Sequence, residues 1–412
     1  MQKDLVSPHN FEQCLKCNIC TTVCPMMAVN PYYPGPKQAG PDGERYRIKD
    51  PAFYDLTLKY CLNCKRCETV CPSGVKVGDI IQAARLKYGR QSRPLRDTAL
   101  ASTDLVGSIA SPFSGIVNPV ARTPLAKSVL ALAGVDSRRT LPEYSHLKFV
   151  DWFRREAPSQ EGFSHYVTYF HGCYVNYNYP RLGRDFVTLM NACGYGVRLM
   201  DEEKCCGVAL ISNGMGAQAT RQARTNVDAI SRALSGGSEA VLTTSSTCTF
   251  TIRDEYEHLL GIDVSAIRPR LMLGVKFLFD AVEQGRVKLS FKQGWTADYA
   301  YHTACHMLKL GWYPYSIGLL RMIPGLQLNV LAQECCGIAG TFGFKKENYA
   351  YSQQIGRKLF DSIRAASPAA VVTDCETCKW QIEMSTGRKV YNPVEVLLSA
   401  IDVEATARLN HR

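Results

Sequence analysis

The sequence of 412 residues predicts an α/β fold, in which a mostly helical N-terminal domain precedes two tandem homologous α/β domains with parallel sheets. Three observations lead to this prediction. A run of four cysteines followed by proline occurs twice within the first 72 residues. A different set of cysteines recurs at an offset of about 130 residues in the rest of the chain. Around these later cysteines, strand patterns alternate with helix patterns, which is typical of a parallel sheet.

Shifts in composition divide the chain. We expect a cysteine-rich domain over 1–95, an apolar linker over 96–160, a first repeat over 161–290 and a second repeat over 291–412. The formal charge is +11, but no run of basic residues is interleaved with aromatic residues, so nucleic acid is not a predicted partner. An acidic protein partner or an anionic membrane face fits such a modestly basic surface better.

Both N-terminal runs have the spacing C-x2-C-x2-C-x3-C-P, which is that of bacterial ferredoxins. In two-cluster proteins with this spacing, the fourth cysteine of each run binds the cluster of the other run. We therefore predict a ferredoxin-like domain with two [4Fe-4S] clusters. The predicted ligands are Cys14, Cys17, Cys20 and Cys71 for one cluster, and Cys61, Cys64, Cys67 and Cys24 for the other.

Structural zinc and disulfides explain these runs less well. A tetrahedral zinc site uses two pairs of cysteines and gives no reason for a third and fourth cysteine before a proline. Disulfides need an oxidising compartment, yet the N-terminal Met-Gln-Lys-Asp-Leu-Val has no apolar core of a signal peptide. Reduced thiols that hold iron in the cytoplasm are the better interpretation.

The N-terminal domain and the linker show further local patterns. Proline and glycine predict a loop over 30–45, and helices are expected over 51–60 and 77–88. Segment 105–135 is apolar with only Arg122 and Lys127 charged, and prolines interrupt it, so no transmembrane helix is predicted. It is either a helix on a membrane surface or a linker buried between domains.

The repeats are defined by cysteines in matching positions. The second repeat has five, in the pattern C-x29-C-C-x38-C-x2-C, and the first has four, because Ser245 stands where Cys375 stands. Adjacent cysteines do not bridge each other comfortably, so the pattern favours a metal or cluster site over a disulfide. The predicted ligands are Cys305, Cys335, Cys336, Cys375 and Cys378 in the second repeat, and Cys173, Cys205, Cys206 and Cys248 in the first.

The order of strands and helices is the same in both repeats. Strands are predicted over 166–170, 197–200, 240–244, 298–301, 327–331 and 370–373, and helices over 181–192, 218–234, 316–323 and 348–365. The ligand cysteines then lie just after strands or at the start of helices, at the edge where open parallel sheets bind ligands.

Other candidates are weaker. Gly214-Met-Gly216 resembles the start of a dinucleotide fingerprint, but Glu239 precedes the next predicted strand instead of ending it. Three histidines, His171, His302 and His306, flank ligand cysteines and either contact the site or simply pack. Cys193 is expected to be a packed helix residue.

Four stretches carry a resemblance to a known family, YPGPKQAGPDGER over 33–45, TSSTCTF over 244–250, CCGIAGT over 335–341 and VTDCETCKWQIEM over 372–384. The chain resembles the C subunits of anaerobic glycerol-3-phosphate dehydrogenases, within the wider group of CCG-repeat proteins that includes heterodisulfide reductase B-like proteins and glycolate oxidase iron–sulfur subunits. The resemblance implies a non-cubane [4Fe-4S] cluster on the five cysteines of the second repeat. Ser245 departs from the five-cysteine pattern, so the first repeat is expected to hold a cluster on four cysteines or none.

The resemblance also implies a function. The chain would carry electrons from a separate flavoprotein that oxidises glycerol 3-phosphate to membrane quinone in anaerobic respiration, without FAD or NAD of its own. Its expected location is the cytoplasmic face of the inner membrane, as a peripheral protein. The alternatives are a catalytic subunit that reduces a disulfide, as heterodisulfide reductases do, and an iron–sulfur subunit of another 2-hydroxyacid oxidase, for glycolate or lactate.

Overall fold

The computed structural model describes residues 10–50, 53, 55–89 and 94–410. Its strands are β1 His165–Phe170, β2 Tyr195–Leu199, β3 Val241–Thr243, β4 Leu271–Leu273, β5 Ala297–Tyr301, β6 Leu326–Val330, β7 Ala370–Val372 and β8 Val390–Tyr391. They form two four-stranded sheets with all neighbours parallel, in the orders β2-β1-β3-β4 and β6-β5-β7-β8. The identical orders confirm two tandem homologous α/β domains with parallel sheets.

The helices fall into three groups along the chain. In the N-terminal domain they are α1 Ile19–Thr22, α2 Gly43–Lys49, α3 Arg66–Thr69 and α4 Val77–Tyr88. In the linker they are α5 Leu95–Ala101, α6 Thr103–Ala110, α7 Ser114–Arg122, α8 Pro124–Leu132 and α9 Phe149–Glu156. In the repeats they are α10 Pro180–Ala192, α11 Val208–Ser212, α12 Gly216–Ser235, α13 Ser246–Phe250, α14 Tyr256–Leu260, α15 Gly274–Glu283, α16 Cys305–Leu310, α17 Tyr313–Arg321, α18 Tyr349–Ala366, α19 Glu376–Thr386, α20 Pro393–Ala400 and α21 Val403–Asn410.

The predicted elements of the repeats are all present. Their ends differ from the predicted ones by at most three residues. Sequence patterns missed the fourth strand of each sheet, β4 and β8, which have three and two residues. Helix α4 also follows its prediction at both ends.

The predicted loop over 30–45 is wrong in its second half. The chain there forms a wide π-helical turn, Gln38–Asp42, which continues directly into α2. Pro41 lies inside this turn, where its missing N–H leaves out one helical hydrogen bond. Gly40 is needed for packing, since a Cβ atom there would lie 3.1 Å from the Val77 side chain of α4.

The predicted helix over 51–60 is also wrong. Its described end is a single 3-10 turn, Leu56–Tyr60, which begins where the Asp55 carboxylate accepts a hydrogen bond from the Thr57 N–H. Residues 51, 52 and 54 lie outside the described part of the chain. The turn delivers Cys61 to the second cysteine run.

Linker helices α5 to α8 expose apolar side chains. The most exposed are Leu132, with 90% of its surface accessible, and Leu95, with 89%. Ile116 and Leu125 on the same segment are exposed as well. Each described helix is too short or too polar to cross a bilayer.

A buried ion-pair network fixes the N-terminal domain to the first repeat. Lys65 is fully buried and pairs with Asp79 of α4 and, at 3.4 Å, with Glu255, which directly precedes α14. The Asn63 side-chain amide donates a 2.6 Å hydrogen bond to the same Glu255 carboxylate. A buried lysine is tolerated only when paired carboxylates compensate its desolvation, so this contact specifies how the two domains meet.

Candidate iron–sulfur sites

The two N-terminal cysteine runs fold in the same way. Lys16 and Asn18 in the first run, and Asn63 and Lys65 in the second, have left-handed backbone conformations with φ between 55° and 62°. Non-glycine residues adopt this conformation at a cost of about 1 kcal/mol or more, so paired occurrences mark a constrained loop. The two left-handed residues alternate with the cysteines and curl each run around a centre.

The first three cysteines of each run do not pair with the fourth cysteine of their own run. One small cavity is lined by Cys14, Cys17, Cys20 and Cys71. A second is lined by Cys24, Cys61, Cys64 and Cys67. The structure thus brings together the two sets that the spacing predicts, with the fourth cysteine exchanged. That these sulfurs bind iron stays a prediction.

The five cysteines of the second repeat meet at the carboxyl edge of its sheet. Cys305 is the first residue of α16, Cys335 and Cys336 follow β6, and Cys375 immediately precedes α19, which contains Cys378. The Cys336 and Cys378 sulfurs lie 3.3 Å apart, and the Gly337 N–H donates to the Cys335 sulfur at 3.4 Å. Cys305 and Cys335 also lie close enough to shift each other's pKa, as do Cys375 and Cys378.

Polar groups around Cys305 fit an anionic group. Within the described chain, Arg66 Nε and Nη2, both His302 ring nitrogens and the Thr303 hydroxyl are buried without a hydrogen-bond partner in the protein. Buried donors of this kind are costly unless something accepts their hydrogen bonds. A [4Fe-4S] cluster with thiolate ligands carries negative charge and accepts hydrogen bonds at sulfur, so the donor set of this site fits such a cluster.

Arg66 links the second N-terminal set to the second repeat. It lies between Cys64 and Cys67 in the sequence, and the charge of its guanidinium acts on the Cys305 sulfur. A hydrogen bond from Cys335 and the charge of Arg66 lower the pKa of Cys305, while burial and the neighbouring Cys305 raise the pKa of Cys64. Cys64 and Cys67 share one buried cluster with Cys305 and Cys335.

The four cysteines of the first repeat also converge. Their thiols lie in one buried cluster and shift each other's pKa. Asp104 of the linker helix α6 reaches this set, and its carboxylate accepts a 2.7 Å hydrogen bond from the Cys205 N–H. Burial and the nearby Cys205 sulfur raise the pKa of Asp104 to about 7.

Ser245 has a structural role in place of a fifth sulfur. It is the N-cap of α13, where its hydroxyl oxygen accepts a hydrogen bond from the Cys248 N–H at 3.3 Å. The same hydroxyl donates to Glu376 of the second repeat at 2.8 Å. Cys375 holds the matching N-cap position of α19 without a side-chain cap. The serine therefore secures a helix end and the contact between repeats.

The remaining candidates lie as follows. His302 is buried, and His306 lies with its Nε2 atom 3.0 Å from the Asn63 carbonyl oxygen and stacks on Phe250. His171 lies 3.2 Å from Glu203 beside the first-repeat set. Cys193 packs in the main hydrophobic core, as expected. Among the described residues, no group of three His, Cys, Asp or Glu side chains has the geometry needed to hold one single metal ion.

Sequence reasoning missed Arg66 and Asp104. A signal for Arg66 was present, because the first run has Asn18-Ile19 between its second and third cysteines where the second run has Lys65-Arg66. Two adjacent basic residues inside a ligand run indicate a second anionic group nearby. Asp104 had no comparable signal, since it belongs to a linker whose docking site depends on the tertiary fold.

Comparison with known proteins agrees with this organisation. A model of the 4Fe-4S dicluster domain matches residues 10–75, and a model of the cysteine-rich CCG domain matches residues 167–253 and 299–383. The C subunit of the anaerobic glycerol-3-phosphate dehydrogenase of Escherichia coli strain K12 is 52% identical over 95% of this chain and 99% of that protein.

Two more distant relatives cover only part of the chain. The B subunit of the fumarate reductase (CoM/CoB) of Methanothermobacter marburgensis is 25% identical over 56% of this chain and 44% of that protein. Lactate utilization protein A of Halalkalibacterium halodurans is 28% identical over 51% of this chain and 85% of that protein.

Proposed function

The chain belongs to the family of the C subunits of anaerobic glycerol-3-phosphate dehydrogenase, and from this we propose that it carries electrons from a flavoprotein partner that oxidises glycerol 3-phosphate to membrane quinone. It is an iron–sulfur subunit, as its 4Fe-4S dicluster and CCG domains indicate. The proposal adds the donor, which is a flavoprotein of A- and B-type subunits, and the acceptor.

The cysteine sets are the proposed ligands. Two [4Fe-4S] clusters are assigned to the exchanged N-terminal sets, a non-cubane [4Fe-4S] cluster to the five cysteines of the second repeat, and a further cluster to the four cysteines of the first. When bound, such clusters accept and release single electrons. The protein itself supplies the thiolates, excludes water by burying most of them, and directs hydrogen bonds at sulfur.

The main support for this function is the contact between the second N-terminal set and the cysteines of the second repeat. Arg66 lies between the ligands of one set, and its positive charge acts on Cys305 of the other. The buried cluster that contains Cys67 also contains Cys335 and Phe342. Sulfur ligands of two domains packed against each other in this way suit a relay better than two isolated sites.

Purification under anaerobic conditions tests this function. The complex with its flavoprotein partner, in liposomes, should reduce a quinone when glycerol 3-phosphate is supplied, and the isolated chain should contain iron and sulfide but no flavin. Iron near zero together with bound zinc would end the iron–sulfur proposal. Reduction of disulfides by the chain alone, with reduced viologen as donor and no turnover of quinone, would favour the disulfide-reducing alternative.

The apolar segment 105–135 supports a peripheral place on the cytoplasmic face of the inner membrane. Its helices expose Ile109, Phe113, Ile116 and Leu125 to solvent. Exposed apolar side chains on short helices beside basic residues are typical of surfaces that lie in the headgroup region. Flotation of the intact chain with anionic liposomes, compared with a variant in which these four side chains are replaced by serine, tests this contact. Equal flotation would contradict it.

A further inference from the structure

A cavity of about 710 Å³ lies beside the second N-terminal cysteine set. It forms where the 3-10 turn before Cys61, the start of α5 and the loop after Cys336 meet, and Cys61 itself is part of its wall. Volumes of this size are typical of small-molecule sites. Holding the cysteines in place does not require a space of this size.

Three of the four cationic side chains of the wall have partners within the protein, and one of the three, Arg85, donates to the Cys61 and Ser212 carbonyl oxygens. Arg96 forms two 2.8 Å hydrogen bonds with the Glu347 carboxylate. Lys345 donates to Asp97 and to Asn213, both at 2.8 Å. Because these cations already have anionic or polar partners, the wall does not present a cluster of free positive charge to a phosphate or another polyanion.

What remains available is apolar surface with a few donors. Leu56, Leu62 and Phe342 contribute apolar side chains. The Thr341 hydroxyl accepts a hydrogen bond from Asn213 at 2.9 Å, which leaves its own hydrogen for a ligand. The Lys59 ammonium lies 5.1 Å from the Tyr60 ring centre, and its side chain is exposed on the cavity wall. Such a site suits a flat, neutral molecule with carbonyl acceptors at its edges.

The cavity is connected to the exposed apolar face of the linker. Arg96 of the wall donates a 2.9 Å hydrogen bond to the Gly134 carbonyl. Leu95 precedes Arg96 and Leu132 lies two residues before Gly134, and these are the two large apolar side chains with the highest exposure among the described residues. A molecule with a hydrocarbon tail therefore has an apolar approach to the wall from the face that we expect to lie on the membrane.

We propose that this cavity binds the head group of the quinone, with its tail directed along Leu95 and Leu132. The inference rests on the proposed function and adds the place of the acceptor, next to Cys61. Thr341 and Lys59 donate to the quinone carbonyls, and Leu56 and Phe342 pack on the ring. The site is made from the N-terminal domain, the linker and both repeats together.

Two exposed wall residues allow a test with little risk to folding. Leu56→Trp fills the cavity and Lys59→Met removes a donor. The matched controls are Leu409→Trp and Lys358→Met, which make the same changes on exposed surfaces of α21 and α18. The complex in liposomes should show a KM for quinone raised about tenfold by each wall variant, because Lys59→Met loses a charged donor and Leu56→Trp occupies the space of the quinone ring. Both controls should keep the wild-type KM.

Iron content and the rate with a soluble dye acceptor are measured for every variant, so that damage to the cysteine sites is separated from damage to the cavity. A wild-type KM for quinone in both wall variants would overturn the inference while leaving the proposed function intact. Absence of quinone reduction by the wild-type complex would instead overturn the proposed function.

Equilibrium binding gives an answer that does not depend on turnover. A fluorescent hydroxyquinoline analogue of quinone is titrated into the isolated chain, with and without excess inorganic phosphate. We expect about tenfold weaker binding to both wall variants, unchanged binding to the controls and no effect of phosphate. Equal binding to all variants, or displacement of the analogue by phosphate, would contradict a quinone site in this cavity.

Discussion

The two repeats share one sheet order, yet the surroundings of their cysteines differ in charge. Basic Arg66 from the N-terminal domain reaches the second-repeat set, and acidic Asp104 from the linker reaches the first. Glu203 also lies beside the first set, near His171. The two repeats therefore have the same fold and similar ligand spacing. Their electrostatic environments differ, because different parts of the chain pack against each repeat. We expect the second site to favour an added electron more than the first.

The largest expected effect comes from Cys375→Ser, which gives the second repeat the ligand set of the first. Cys375 is buried beside Cys378, and serine oxygen is a poor substitute for a thiolate toward iron. We expect the second-repeat cluster to be lost and quinone reduction to fall by at least about 100-fold. Electron paramagnetic resonance and iron analysis measure the first effect, and steady-state kinetics the second.

Cys193→Ala is the control for this variant, because Cys193 is a buried cysteine outside all four sets. It should keep the wild-type spectrum. An unchanged spectrum in Cys375→Ser as well would show that the fifth sulfur is not a ligand, and the contrast between the repeats would lose its chemical basis.

Arg66→Gln removes the positive charge from the second site while keeping a side chain that donates hydrogen bonds. The reduced, more negative state loses its nearest cation, so the midpoint potential of the second-repeat centre should become more negative. Because glutamine keeps a donor, activity should fall by about tenfold, the lower end of the range for changes beside a ligand. A redox titration followed by electron paramagnetic resonance measures the potential.

Arg357→Gln on the exposed face of α18 is the matched control and should leave the potential unchanged. If the two variants gave the same potential, the difference between the repeats would have to come from the ligands alone and not from the docked N-terminal domain.

Asp104 should make the free energy of unfolding depend on pH through its contact with the first repeat. Its pKa is raised to about 7 in the folded protein, from an ordinary value of 3.8, mainly by burial. Between these two values the folded state binds more protons than the unfolded state, so stability decreases as the pH rises from about 4 to about 7. Asp104→Asn removes the charge and should make the protein more stable at pH 8 by roughly 1–2 kcal/mol, with little change at pH 4.

Thermal unfolding of the loaded protein at several pH values measures this effect. Asp263→Asn is the control, because Asp263 is exposed and lies away from the cysteines. A pH profile of Asp104→Asn that runs parallel to that of the wild type would mean that this carboxylate is not held in the protonated form by the first repeat.

The sequence contains most of what determines the repeats. The strands and helices of each sheet follow from periodicity, and the exchange of Cys24 and Cys71 between the N-terminal sets follows from spacing alone. Helix α2 could not be predicted, because the glycines and prolines before it are typical of a loop. The reason for a glycine at position 40 is its close packing against Val77, which only the tertiary structure shows. The partners Arg66 and Asp104 were also missed, since their effect depends on contacts between distant segments.

Ser245→Cys is the reverse of the first substitution and should have the smallest effect. It removes the N-cap of α13 and the hydrogen bond to Glu376, which costs about 1 kcal/mol, and in return offers a fifth sulfur to Cys173, Cys205, Cys206 and Cys248. If the fifth ligand alone distinguishes the repeats, the variant gains the spectrum of the second-repeat centre at the first. If the acidic surroundings also matter, the new centre has a more negative potential than that of the second repeat, and we expect this result.

Ser246→Cys, one residue further along α13 and also buried, controls for an added thiol. A spectrum identical to that of the wild type would mean that the geometry of α13 does not allow a fifth ligand.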